Sequence, residues 1–316
     1  SGPEGSAFLA TSDHAAAPAR ASAARAYLLL AAVVVFWGIN WPVMKVGLEA
    51  VPPFAYALSR LAIGAATLFA ILVVTGRLVR PGRADLPVVI SVALFQMAAF
   101  LTCVNFGLMR VDAGRAAILA YTTPLWVTPV AVGLLGERLG ARKAAGLVVG
   151  LAGVAVLFNP FAFDWSDPRV VTGNGLLMLA AFAWAGVILH TRNHAWRATP
   201  LQLAPWQMSL AAPVMLGFVL VFEHDMQIPW TPALGVNLLY NGVVATAFCF
   251  WAVVTVQRSL PAVSTSLGLL AVPTAGMLLS AAILGEPLTA TRLGGLVLIL
   301  AGMGLVNLAD LRAPER

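Results

Sequence analysis

Charge is scarce in this chain of 316 residues: Lys and Arg number 19, Asp and Glu 13, so 10% of positions are charged. A soluble domain carries about 25%. Cysteine is nearly absent. Cys103 and Cys249 stand singly inside apolar runs, which excludes a disulfide framework and the paired ligand spacing of a zinc site. The chain also lacks a Walker sequence and any clustered nucleophile, base or acid set, so an ATP-driven pump and an integral-membrane enzyme are both disfavoured, and no metal or cofactor is expected. The net charge of +6 comes from basic residues scattered singly, without aromatic interleaving, and this excludes a nucleic-acid partner. Finally, no Asp or Glu lies deep within an apolar run, so the embedded carboxylate of a proton-relaying pump is missing.

What is present is apolar: 60% of residues are hydrophobic and the mean hydropathy is +0.89. Lipid must therefore serve as part of the solvent. Ten apolar segments follow in order, at 26–48, 54–75, 86–109, 114–135, 141–158, 173–192, 201–222, 233–256, 261–284 and 290–309. Each is about the 20 residues a spanning helix needs. They run apolar throughout instead of alternating, which argues against a β-barrel. Residues 1–25 read as a disordered tail and 310–316 as a short C-terminal one. With the N-terminus cytoplasmic, that side receives 13 of the 19 Lys and Arg and the other side 5, Arg60 remaining inside segment two. The positive-inside rule then places both termini in the cytoplasm; the membrane expected for such a chain is a bacterial-type inner membrane.

The two halves of the chain resemble each other. Ala145–Gly153 reads AGLVVGLAG and Gly294–Gly302 reads GGLVLILAG. At the same spacing Pro124 meets Pro273 and Gly136-Glu137 meets Gly285-Glu286, while earlier in the halves Trp37 meets Trp184 and Pro53 meets Pro200. Units of 26–158 and 173–309 with five helices each must enter the membrane from opposite sides, since five is odd. Inverted repeats of this kind are a transporter device.

Pro124 within a helix, Gly136-Glu137-Arg138-Leu139, the Gly-rich helix after it, and their recurrence at Pro273, Gly285-Glu286-Pro287-Leu288 and Gly294–Gly302 carry a family resemblance. With Trp37-Gly38 and Arg60 added, the chain resembles the EamA-type members of the drug/metabolite transporter superfamily, and within it the YddG-like exporters of aromatic amino acids. The resemblance implies a ten-helix, five-plus-five carrier of small metabolites, with helices 1, 3, 4, 6, 8 and 9 around a central cavity and 5 and 10 at one edge.

The residues themselves suggest what such a cavity would hold. Trp37, Asn40, Trp41 and Met44 recur at the spacing of one helical face. An amide in hydrocarbon is costly without partners, so Asn40 is expected to face the protein interior. Gln96, Tyr121, Trp184, Tyr240, Asn241 and Trp251 lie at comparable depth, and Arg60 either snorkels or attracts a substrate carboxylate. The set suits flat, amphipathic solutes, aromatic amino acids foremost; sugars, nucleosides and cationic drugs are alternative cargoes, and proton-coupled antiport an alternative to facilitated export. A channel is disfavoured, because the polar residues do not form a repeated pore stripe. Pro124 and Pro273 read as mid-helix hinges. Glu137 and Glu286 read as caps, and Gly146, Gly150 and Gly295 as close-packing positions that do not by themselves establish a dimer.

Overall fold

The computed structural model describes residues 13–135, 140–158, 167–225, 227–260, 265 and 268–311. Every regular element among them is helical. Helix α1 (Asp13–Ala50) begins inside the stretch expected to be a disordered tail. The run before Tyr27 is rich in Ala, the residue of highest intrinsic helix propensity, and it continues the spanning helix backwards. Glu137 lies outside the described residues.

Prolines punctuate the chain. Proline lacks the N–H that a helix interior needs, yet it fits the first helical turn, where that donor has no partner. Helices α2 (Pro53–Val74), α8 (Pro168–Asn193), α9 (Pro200–Phe222) and α10 (Pro232–Leu239) all begin on one. Between them lie α3 (Leu86–Ser91), α4 (Phe100–Leu108), α5 (Ala113–Ala120), α6 (Thr123–Leu135) and α7 (Ala141–Phe158). The chain ends with α11 (Cys249–Ser259), α12 (Ala271–Leu284) and α13 (Ala290–Leu311).

Among the described residues six helical runs are long and apolar enough to cross a membrane: Ala24–Ala50, Pro53–Val74, Leu86–Leu108, Pro168–Thr191, Pro200–Phe222 and Pro232–Val253. Three shorter apolar helices, Ala144–Val156, Ala271–Leu284 and Ala290–Leu305, accompany them. Large side chains such as Val74, 86% exposed, and Leu28, 72% exposed, point outward where only lipid would accept them. The protein is thus an integral, multi-pass membrane protein.

Two of the spanning runs are not regular. Leu86–Leu108 passes through a π-helical stretch at Val92–Ala99, and Pro232–Val253 through another at Tyr240–Phe248. A third rod is broken outright, since α5 ends at a turn on Tyr121-Thr122 before α6 starts. The expectation for Pro124 and Pro273 changes accordingly. Neither is mid-helix: they stand in the first turns of α6 and α12, just after an interruption. A first-turn proline removes no helical hydrogen bond, so the break precedes the proline and is not a kink made by it.

The glycines read as packing positions lie at the contact of α7 with α13. A Cβ on Gly302 would stand 2.4 Å from the Gly150 nitrogen and 2.6 Å from the Gly146 carbonyl oxygen, and one on Gly153 would stand 2.9 Å from that of Gly295. Only hydrogen at these positions lets the two backbones touch.

Candidate functional site

One end of the helices, the Pro52 face, is tightly tied. Glu286 accepts from the backbone N–H of Ala113 at 2.6 Å and of Gly114 at 2.9 Å. Its carboxylate therefore caps the orphan donors of α5, 173 residues away, not those of the adjacent α13. Glu223 does the same for α2, accepting from Phe54 and Ala55 at 2.9 and 2.8 Å. Asp112 pairs with Arg292. Lys45 donates to the carbonyls of Leu108 and Val111 at 2.5 and 2.7 Å, closing the C-terminal end of α4.

Below this tied layer lies a cavity of about 300 Å³, in the range of small-molecule sites. Its lining extends from Met44 of α1 to Pro200 at the start of α9, at the opposite end of the molecule. Eight of the residues singled out from the sequence line it: Trp37, Asn40, Trp41, Met44, Arg60, Gln96, Tyr121 and Trp184. The break at Tyr121-Thr122 is what frees Tyr121 from a regular helical face. Its ring lies edge-on to Trp41 at 6.4 Å and to Trp184 at 6.0 Å, and Trp184 meets Phe100 at 5.3 Å. These T-shaped contacts hold four rings as one aromatic wall.

The polar side of the cavity is spare. Arg60 donates from Nε to the Thr246 hydroxyl at 2.8 Å and makes a long contact from Nη1 to the Met44 sulfur at 3.5 Å. Among the described residues no carboxylate pairs with it. Thr246 in turn donates to the Asn241 carbonyl at 2.7 Å. Asn40 donates to the Met44 sulfur at 3.0 Å, and its Oδ1 has no partner. The Trp37 indole donates to the Ala245 carbonyl at 2.8 Å, satisfying an oxygen within the π-helical stretch and tying α1 to it.

Three predicted residues are placed elsewhere. Tyr240 donates to the Phe36 carbonyl at 2.8 Å, Asn241 is fully buried against the Tyr56 hydroxyl at 2.7 Å, and Trp251 is 37% exposed beside Phe248. An α-helix would put Tyr240 and Trp251 on one face, because eleven residues make almost whole turns. The π-helical stretch between them breaks that register. The face that meets the cavity is instead Ala245, Thr246, Phe250 and Val253. Sequence reasoning missed Thr246, whose only signal was a hydroxyl deep within an apolar run.

The geometry has known relatives. The sequence profile of the EamA-like transporter family matches residues 24–159 and again 171–308. The uncharacterized transporter YoaV of Bacillus subtilis is 28% identical over 86% of this chain and 92% of its own. A probable amino-acid metabolite efflux pump of Salmonella typhimurium is 31% identical, covering 86% of this chain and 91% of its own. A protein of known crystal structure superposes at a TM-score of 0.63, with 22% identity over 92% of this chain and 99% of that one, which shows the same fold.

Proposed function

Because the chain belongs to the EamA-like transporter family, we propose that it exports small amphipathic amino-acid metabolites, aromatic amino acids foremost, by alternating access through the cavity at Arg60. It is a transporter; the cargo, the direction and the ten-helix inverted arrangement are our reading. The repeated sequence motifs and the cross-capping of α5 by Glu286 support two halves that interlock. The excess of Lys and Arg on one side supports cytoplasmic termini.

The observation that carries the cargo is a guanidinium in the same cavity as an aromatic wall. Arg60 offers a planar donor fork for a carboxylate, while Trp41, Tyr121 and Trp184 offer ring edges and faces to a flat side chain. The amino-acid efflux pump of Salmonella typhimurium supports the same class of cargo and an outward direction. In the proposed cycle, the tied Pro52 face opens as the opposite end closes, and Arg60 keeps hold of the carboxylate between the two states. No carboxylate lies deep in a span to couple protons, so the cargo moves down its own electrochemical gradient.

Flux measurements in proteoliposomes test this reading. Labelled Trp and Phe should exchange regardless of a pH gradient, and a short aliphatic amino acid far more slowly. Trp184→Ala should slow Trp flux about tenfold, the worth of roughly 1.4 kcal/mol of ring contact. Equal transport of all three amino acids, unaltered by the substitution, would remove the aromatic assignment.

A further inference from the structure

We propose that the cavity selects monoanionic aromatic carboxylates whose nitrogen carries no charge, such as N-acylated aromatic amino acids, over the zwitterionic amino acids themselves. This inference rests on the exporter reading above and narrows its substrate class.

The charge census of the cavity carries the proposal. Among the described residues Arg60 is the only charged one of the lining, and the other hydrogen-bonding side chains there, Asn40, Gln96, Tyr121, Thr246 and the three tryptophans, are neutral. The nearest described acids cannot help. Glu286 and Glu223 are committed to helix caps and Asp112 to Arg292, all on the tied Pro52 face, where Glu49, exposed, lines a separate recess. Asp85 is held by backbone amides at the opposite end. A cation removed from water without a counter-ion is costly, and among the described residues Arg60 has only a hydroxyl and a thioether as partners.

A bound monoanion changes that balance. Its carboxylate supplies the counter-charge that the protein does not, and the loaded cavity becomes neutral. A zwitterion supplies the same carboxylate but brings an ammonium that must also leave water. No acid of the described lining waits for it, and the loaded cavity keeps a net charge of +1. What the cavity offers a nitrogen is neutral oxygen, the amide of Gln96 and the hydroxyl of Tyr121. A neutral N–H matches a neutral acceptor, as in an acylated amine or an indole. A cationic amine, with no carboxylate to meet it, is the worst fit of all.

The same census explains how export proceeds without a coupling carboxylate. One monoanion moved outward per cycle carries one negative charge, so the inside-negative membrane potential drives it. For a single charge, 59 mV is a tenfold ratio, so about 100 mV sustains a gradient of roughly 50-fold. A zwitterion moved alone feels no such drive.

The test uses the full-length protein in liposomes, with potassium and valinomycin setting the potential. Three labelled probes share one ring: N-acetylphenylalanine as the anion, phenylalanine as the zwitterion and phenylalaninamide as the cation. We expect the anion to be carried at least tenfold faster than phenylalanine, to accumulate with the imposed potential, and to outrun phenylalaninamide further still. Arg60→Gln should abolish the anion preference, while Arg60→Lys, which keeps the charge, should retain part of it if the variant remains monodisperse. If phenylalanine is carried as fast as or faster than its acetylated form, with no response to potential, the charge selection is overturned and the exporter reading stands. If no probe crosses faster than through protein-free liposomes, both are overturned.

Discussion

Arg60 is oriented by a threonine, not by an acid, and much of the site's chemistry follows from that pairing. Its Nε bonds the Thr246 hydroxyl, which bonds the Asn241 carbonyl. The fork is thus aimed without being neutralised. Thr246→Val keeps the volume and removes the hydroxyl. A hydrogen bond to a charged group contributes about 1.5 kcal/mol or more. The transport KM for an aromatic carboxylate should therefore rise about tenfold, with the thermal midpoint nearly unchanged. A KM equal to that of the wild type would show that Thr246 does not position the guanidinium. Arg60 could be named from the sequence because a charged residue inside an apolar run is conspicuous. Thr246 could not, because apolar helices routinely absorb a hydroxyl on their own carbonyls, as Thr67 does on Ile63.

At the scale of elements, the irregular stretches do more to shape the cavity than the regular ones. The π-helical stretches Val92–Ala99 and Tyr240–Phe248 fall at matching places in the two halves, and both contribute lining residues, Gln96 and Met97 from one, Ala245 and Thr246 from the other. Such stretches are rare and concentrate at functional sites. The contact of α7 with α13 is the opposite kind of element, rigid and glycine-lined. A side chain at Gly302 must collide with the backbone at Gly150, whereas one at Gly304 meets nothing within 4 Å. Gly302→Leu is expected to lower the thermal midpoint in detergent by several degrees, and Gly304→Leu to leave it within a degree or so. Equal effects from the two would mean that α7 and α13 do not pack as described.

The whole molecule is held together by carboxylates that reach across it. Glu286 caps α5, Glu223 caps α2, and Asp85 accepts from the backbone amides of Arg197 and Ala198 at 2.6 and 3.2 Å. Asp85 is 2% exposed, and the Arg197 N–H, helped by those of Gly82 and Ala198, holds its carboxyl below the ordinary value of 3.8 against the opposing effect of burial. A carboxyl so depressed stabilises the fold above its unfolded value, and that stability is lost as pH falls through the lower folded value. The thermal midpoint of the wild type should therefore fall as pH drops below about 4. Asp85→Asn should melt lower at neutral pH and show a shallower decline in acid. Parallel curves for the two proteins would show that Asp85 does not carry this linkage.

What was legible in the sequence follows from where the physics is local. Hydropathy and length alone determine that the chain lives in lipid, because no water-soluble packing can hide 60% hydrophobic residues. The amphipathic face Trp37, Asn40, Trp41 and Met44 was likewise legible, since α1 is a regular helix and its period can be counted. Tertiary structure decided the rest. It alone turned Tyr240, Asn241 and Trp251 off the cavity and brought Thr246 onto it, because a π-helical stretch shifts the register by an amount no periodicity announces. It alone sent Glu286 to a helix 173 residues away, because a carboxylate seeks unpaired amides wherever packing delivers them. And it alone left Arg60 without an acid among the described residues, since whether a buried charge finds its partner within the protein or must take one from its cargo depends on which side chains the fold brings within reach.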